Sequence, residues 1–493
     1  MSRDEHNRKP IIMLNIDSLM PASLEMAMQT GRAPALKFFV ENGHYTPNMV
    51  TSFPTMSVTI DSSLLTGTYA DAHRIAGLNW FDVENETFVN YGTGFRETFR
   101  IGVRQSIYNM LHMLNEVHLS DDVETIYEAL DKSGCTSASI NSFVYRGHLK
   151  RTLRVPKLLR ALTPFTNEGQ WTASTPSFFS LGTFGKLRSK GFPSQVAAGN
   201  YKYVARDLAH LIRNDMLPEF TFCVFQDMDL RLHFKGPTDM KMIQKIDRRL
   251  QKILNLYNSW DDALKQNVWI IIGDNGHSAT GTDHHDVVID LRKLLKDYQI
   301  AHIQHPSLEK DEVAICVNQR MAYVYALRDT LNMDTLVEHL KKDERIDIIA
   351  WKEKGGVRVV SGMGTGELYF RSNGAYTDSY GQTWHVEGDL ALLNIEQNDD
   401  AHLLYGDFPD ALARLHGALN SHKGRYIVVN AKPGCEFKAQ LTPSHISGAA
   451  HGSLHKQESH VPLIIAGTDE RPSHARIIDL KSFVVGLANR EGE

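Results

Sequence analysis

The stretch Ile11–Met20, IIMLNIDSLM, decides the fold: six almost wholly apolar residues end abruptly at Asp17. A run of that length without polar alternation is the pattern of a strand buried on both faces, as in a parallel sheet with helices on either side. The pattern recurs along the chain. SASIN (Ser137–Asn141), FTFCVF (Phe220–Phe225), VWIIIG (Val268–Gly273), RYIVVN (Arg425–Asn430) and PLIIAG (Pro462–Gly467) read as further buried strands. Helical segments lie between them. Asp121 and Glu124 have capping-box spacing for a helix running to Lys132. Ile243, Ile246, Leu250, Ile253, Leu254 and Tyr257 form one stripe of a helix over Met240–Tyr257.

The class is therefore α/β: a mostly parallel central sheet flanked by helices, with cap insertions and a smaller α+β lobe. Residues 1–77, 119–145, 201–297 and 425–493 are expected to form the core. Residues 78–118 and 146–200 mix Phe, Thr, Arg and Pro without clean periodicity, and read as a cap insertion. Residues 298–424, with AICVNQRMAYVYAL, GGVRVVSG and GELYF, read as the smaller lobe.

The 493 residues carry 53 Lys and Arg against 58 Asp and Glu, a formal charge of −5, which gives no electrostatic reason to expect nucleic acid or an anionic membrane as partner. Polar residues 1–10 and the short run Ile11–Ile16 are unlike a secretion signal or a membrane span, so a cytoplasmic location is expected. The four cysteines, Cys135, Cys223, Cys316 and Cys435, have no CxxC spacing and read as free thiols rather than disulfides or zinc ligands.

Chemistry concentrates at the strand ends. Asp17 follows the first strand, where ligands bind in open α/β sheets, and reads either as a ligand or as a helix cap. In SFPTMSVTIDSSLLTG (Ser52–Gly67), Pro54 precedes Thr55 and a helix closing near Gly67, which puts Thr55 at a helix start. After FTFCVF, Asp229 and His233 are four apart and share a helical face, the spacing for one metal ion, while Asp227 competes for the role without that spacing. GDNGH sets Asp274 and Asn275 after the fourth run, as two oxygen ligands or as a turn, with His277 close behind. In AAHGSLHKQESH, His451 sits among small residues that admit an imidazole to a crowded site; His455 and His460 are nearby. His284 and His285 read as surface.

Taken in order, NIDSLM, FPTMSVTIDSSLLTGTYADAHRIAGLNWFD, DLRLHFKGP, GDNGH and AAHGSLHKQESHVPLII resemble the alkaline phosphatase superfamily, and within it the type I phosphodiesterase/nucleotide pyrophosphatase branch. The resemblance implies a two-metal phosphoric ester hydrolase with Thr55 as nucleophile. It implies one divalent ion, zinc, on Asp229, His233 and His451, and a second on Asp17, Thr55, Asp274 and residue 275. Asn275 replaces the usual histidine. The resemblance allows Zn, Mn, Mg or Ca there, but a neutral amide oxygen suits zinc poorly, so a harder ion, Mg, Mn or Ca, or weak occupancy is expected, with His277 a candidate for the missing nitrogen. Ile60-Asp61 stands where nucleotide pyrophosphatases carry Asn-His, a departure that tells against that activity. The Cys/Ser-x-Pro-x-Arg signature of sulfatases is absent around Thr55. The implied partner is a small phosphorylated substrate. The alternative is a degenerate member that binds metal or phosphorylated ligand without efficient turnover. Tyr91, Phe95, Arg96, Arg100 and Arg104 read as selectivity residues or as solvated surface.

Overall fold

The computed structural model describes residues 8–92, 103–154, 170–188, 199–362, 364–440 and 442–489. Phe95, Arg96 and Arg100 lie outside these, as does the side chain of Arg104.

Seven strands form the main sheet in the order Gly43–Val50, His460–Ala466, Val268–Ile272, Ile11–Ile16, Phe220–Phe225, Ser137–Ile140, Phe178–Ser180. The central strands run parallel. Their side chains feed two cores: Ile11 and Met13 face one, and Ile12, Leu14 and Ile16 the other, which is why the sequence shows no alternation. Leu64, Leu65, Ile126 and Leu130 cover the first face; Leu36, Phe39, Leu208, Ile246 and Leu250 cover the second. Among the described residues no helix is long and apolar enough to cross a membrane. None of the four cysteines forms a disulfide, and all four are buried.

Three strand readings are corrected. Pro462–Ala466 belongs to the sheet but runs antiparallel to Val268–Ile272. Arg425–Ala431 lies instead in the second, nine-stranded sheet, antiparallel to both Met321–Ala326 and Ile346–Glu353. A strand central in a sheet covered on both faces is apolar throughout whichever sheet holds it, so its composition did not distinguish the two. Phe178–Ser180, inside the segment read as cap, is the parallel edge strand of the main sheet.

Helix positions differ by smaller amounts. The capping box is formed by Thr125 and Glu128, not Asp121 and Glu124: the Glu128 amide donates to Thr125 Oγ1 at 3.2 Å and the Thr125 amide to Glu128 Oε2 at 2.7 Å. Both pairs have the required spacing, and Thr125 is the one with extended backbone just ahead of the apolar run Ile126–Leu130. The amphipathic helix spans Lys241–Leu254. The helix after Thr55 spans Ser57–Thr66 and closes at Gly67 in the left-handed conformation, φ 68°.

This topology gathers one set of chain ends. Ile11–Ile16, Phe220–Phe225 and Val268–Ile272 are adjacent and parallel, so their carboxyl ends lie along one edge of the sheet. The reversed strand begins there with His460, and Gly43–Val50 ends opposite it, with Val50 paired to His460. Asp17, Thr55, Asp229, Asp274 and His451 all follow or precede those ends.

Candidate active site

Asp229 and His233 lie on the short helix Asp229–Lys235. Their four-residue spacing puts His233 Nε2 3.2 Å from Asp229 Oδ1. His277 Nε2 and His451 Nε2 approach the same oxygen, each at 3.2 Å. Three imidazole nitrogens and a carboxylate oxygen thus converge on one point, and the four ligand atoms lie within 4.8 Å of one another. Asp229 is partly exposed at 30%, so the cluster opens to solvent through its carboxylate. Beside it Leu230 and Phe234, 67% and 70% exposed, form an apolar rim.

The rings are oriented by backbone. His233 Nδ1 is 2.8 Å from the Ala449 carbonyl and His451 Nδ1 is 2.6 Å from the Thr55 carbonyl. A carbonyl only accepts, so each Nδ1 carries the hydrogen and each Nε2 is left to face Asp229. A neutral Nε2 lone pair against a carboxylate oxygen is repulsive unless a proton or a cation lies between them. Burial opposes charge on Asp229, yet His233, His277 and His451 hold its carboxyl well below the usual range. Burial lowers His277 to about 3. The chemistry of this donor set fits zinc.

The loop carrying His451 must pass close to that helix. A Cβ at Gly448 would lie 1.9 Å from the His233 carbonyl oxygen, so only glycine is tolerated there. Gly452, at φ 111°, sends its amide to Thr55 Oγ1 at 2.7 Å, and a Cβ there would meet the Asn318 carbonyl at 2.2 Å. Thr55 is fully buried, and its hydroxyl donates to the Ser453 carbonyl at 3.3 Å.

Asp17, Asp274 and Asn275 form a second set around Ser18. The Ser18 hydroxyl is 2.9 Å from Asp17 Oδ1, 3.0 Å from Asn275 Oδ1 and 3.0 Å from His277 Nε2. The Ser18 and Asn275 amides donate to Asp274 Oδ1 at 2.8 and 2.7 Å. The Ser57 side chain also bears on the buried Asp274 carboxylate, as a hydrogen-bond donor. Burial, then Asp274 and Asp229, raises Asp17 well above the usual carboxylate range; burial also raises Asp274. Like charges crowded together in a buried place are the signature of a site for a cation. His277 stands between the two sets. The Asn275 amide nitrogen reaches the Thr55 carbonyl at 3.4 Å.

Asp61, at the position that departs from Asn-His, is buried under the site. It accepts from Asn15 Nδ2 at 3.0 Å and Ser142 Oγ at 3.5 Å. Burial, and next the Asp274 charge, push its carboxyl up to about 8. The unfolded chain ionises Asp61 at about pH 4. Between about 4 and 8 the folded state therefore holds a proton that the unfolded state releases, and stability falls as pH rises across that window. Asp61→Asn in metal-free protein is expected to gain more stability at pH 8 than at pH 5, by about 1 kcal/mol or more, in urea unfolding. Equal gains at the two pH values would exclude a buried neutral carboxyl.

Other residues singled out from the sequence fall elsewhere. Asp227 accepts the Tyr201 amide at 2.5 Å. His284 and His285 are exposed. His455 caps Lys456–Ser459 through the Gln457 amide, and His460 opens its strand. Tyr91 is buried, bonded to His118 Nδ1 at 2.6 Å. Sequence reasoning missed Ser18 and Gln319. Ser18 had one local signal, its place beside a strand-end aspartate; Gln319, whose Nε2 is 3.0 Å from His451 Nε2, had none.

A model of the family described as type I phosphodiesterase/nucleotide pyrophosphatase matches residues 11–361. No curated protein sequence matches the chain. Among solved structures, murine ectonucleotide pyrophosphatase/phosphodiesterase 5 is similar over 98% of this chain and 95% of its own, at 13% identity and TM-score 0.57. An inactive variant of it, in complex with AMP, matches equally. Phosphonoacetate hydrolase from Sinorhizobium meliloti 1021, in complex with phosphonoacetate, is 16% identical with TM-score 0.58, covering 98% and 96% of the two chains. At these identities the likeness is one of fold.

Proposed function

Since the chain belongs to the type I phosphodiesterase/nucleotide pyrophosphatase family, whose members are metal-dependent phosphoester hydrolases, we propose that it cleaves a small phosphorylated substrate with Thr55 as nucleophile and two divalent ions. The observation that carries this reading is the convergence of His233, His277 and His451 on Asp229 Oδ1, each at 3.2 Å. Asp229, His233 and His451 would hold one ion, zinc. Asp17, Thr55, Asp274 and Asn275 would hold the other, Zn, Mn, Mg or Ca, with His277 able to serve either. Ions held there would supply Lewis acidity, polarising phosphoryl oxygens and favouring an alkoxide at neutral pH.

The chain's own groups supply the rest. The Thr55 oxygen forms a bond to phosphorus as the bond to the leaving-group oxygen breaks, the hydroxyl proton passing to solvent. Water then cleaves the phosphothreonine and restores the hydroxyl. The Gly452 amide, already 2.7 Å from Thr55 Oγ1, steadies negative charge there. The helix Ser57–Thr66 directs its amino end toward the same region, where an anion is favoured. A cytoplasmic location accompanies this reading.

The test is elemental analysis of protein purified without added metal, beside hydrolysis of bis-p-nitrophenyl phosphate and p-nitrophenyl phosphate with and without chelator. Near two metals per chain and chelator-sensitive turnover are expected, and the preferred ester separates diesterase from monoesterase. His277→Ala should lose about one metal per chain. Wild-type protein that takes up no metal and turns over neither ester would remove the reading in favour of a degenerate binding protein.

A further inference from the structure

One side chain at a turn of the nine-stranded sheet reaches the Asp229 cluster. Val313–Asn318 and Met321–Ala326 are joined through Gln319 and Arg320, and this tight connection puts Gln319 at φ 58°. The turn is anchored on both sides: the Gln319 carbonyl accepts the Phe437 amide at 2.8 Å, and the Arg320 amide donates to the His451 carbonyl at 3.0 Å. Gln319 Oε1 accepts the His451 amide at 3.0 Å. Because that amide can only donate, the oxygen end of the carboxamide is committed and the NH2 end faces the rings. Nε2 is 3.0 Å from His451 Nε2 and 3.5 Å from His233 Nε2.

We propose that Gln319 is a substrate-binding residue, a neutral hydrogen-bond donor brought by the nine-stranded sheet to an oxygen of the bound phosphoryl group. The inference rests on the metal reading above. When the Nε2 lone pairs of His233 and His451 are committed to a cation, the Gln319 NH2 group loses those acceptors. Its oxygen stays held by the His451 amide, so its hydrogens remain aimed at the face of the cluster where an anionic oxygen binds. A donor fixed in this way costs little ordering entropy when the substrate arrives. Being uncharged, it adds affinity for a phosphoryl oxygen without competing with the cation's ligands.

The experiment uses the full chain loaded with zinc and orthophosphate as the probe. Metal content, orthophosphate affinity by calorimetry, and KM and kcat for the preferred p-nitrophenyl ester are measured for wild type, Gln319→Ala and Gln319→Glu. Neither substitution alters the backbone demand at φ 58° beyond what glutamine already meets. Gln319→Ala is expected to keep the wild-type metal content and weaken orthophosphate binding about tenfold, the size of one hydrogen bond to a charged group. Gln319→Glu, which sets a negative charge against the anion, should weaken it further. Orthophosphate affinity in Gln319→Ala within twofold of wild type, or loss of metal from that variant, overturns the inference. A wild-type protein that binds metal and orthophosphate while Gln319→Ala matches it sinks this inference alone; a wild-type protein that binds no metal sinks the proposed function instead.

Discussion

Thr55→Ala is expected to lower kcat by about four orders of magnitude or more, the loss that follows when a covalent nucleophile, the role proposed for Thr55, is removed. The variant removes only the side-chain hydroxyl and methyl. The Thr55 carbonyl that orients His451 stays in place, so metal content at the Asp229 cluster should be unchanged. The bonds from the Gly452 amide and to the Ser453 carbonyl are lost. Both partners are buried backbone groups of the same loop, and leaving each unsatisfied costs about 1–3 kcal/mol, far less than the expected loss of catalysis. Activity and stability therefore separate. Acid-quenched wild-type enzyme turning over a labelled substrate should carry phosphate on Thr55, and the alanine variant none. A variant retaining more than a tenth of wild-type turnover would rule out Thr55 as nucleophile.

Glu458→Gln should cost about 3–5 kcal/mol of folding stability, the price of leaving a buried cation without its partner. Arg320 and Glu458 are both fully buried and paired with each other. Arg320 also donates to the Cys435 and Ala431 carbonyls at 3.0 and 2.9 Å. Glu458 receives the Ser278 hydroxyl at 2.7 Å and the Ser453 amide at 2.6 Å. The pair thus fastens the turn holding Gln319 to the loops of His277 and His451. Asp347 lies near Arg320, and although burial raises its carboxyl to about 6 it is mostly ionised at neutral pH, so it offsets part of the loss. The check is urea unfolding of wild type, Glu458→Gln and the double variant Arg320→Met/Glu458→Leu. The double variant should regain part of the loss, since it removes both charges. A single variant within about 1 kcal/mol of wild type would mean the Arg320 charge is satisfied elsewhere.

A second buried arginine ties the site from the opposite side. Arg414, on the helix Ala411–Leu419, donates to the Ser52 carbonyl at 3.1 Å, the Leu454 carbonyl at 3.2 Å and Ser459 Oγ at 2.7 Å. It joins the segment before Thr55 to the segment after His451. Burial lowers this guanidinium to about 10, so it remains charged at neutral pH. Neither arginine was legible as structural cement in the sequence. An arginine between apolar residues carries no local mark of which carbonyls it will reach.

The residues that bring chemistry were legible to the extent that their spacing is local. Asp229 and His233 meet because one helical turn separates them. The helix after Thr55 stops at Gly67 because a left-handed residue is needed there. His277 was legible only as a histidine near a strand end. Its place beside Asp229, rather than wholly within the Asp17 set, depends on how the loop after Val268–Ile272 crosses the carboxyl edge of the sheet, and no short window of sequence encodes that path.

By itself the sequence determined the buried-strand composition, the α/β class, the carboxylates at strand ends and the kinds of ligand available, because these follow from periodicity and side-chain chemistry within a few residues. Tertiary structure alone decided that His460–Ala466 runs against its neighbours, that Arg425–Ala431 pairs in the second sheet, and that Ser18 and Gln319 stand beside Asn275 and His451. The physical reason is the same in each case. Strand direction and side-chain convergence are set by hydrogen bonds and packing between segments far apart in the chain, and an apolar strand or a lone glutamine looks the same locally whichever partner it finds.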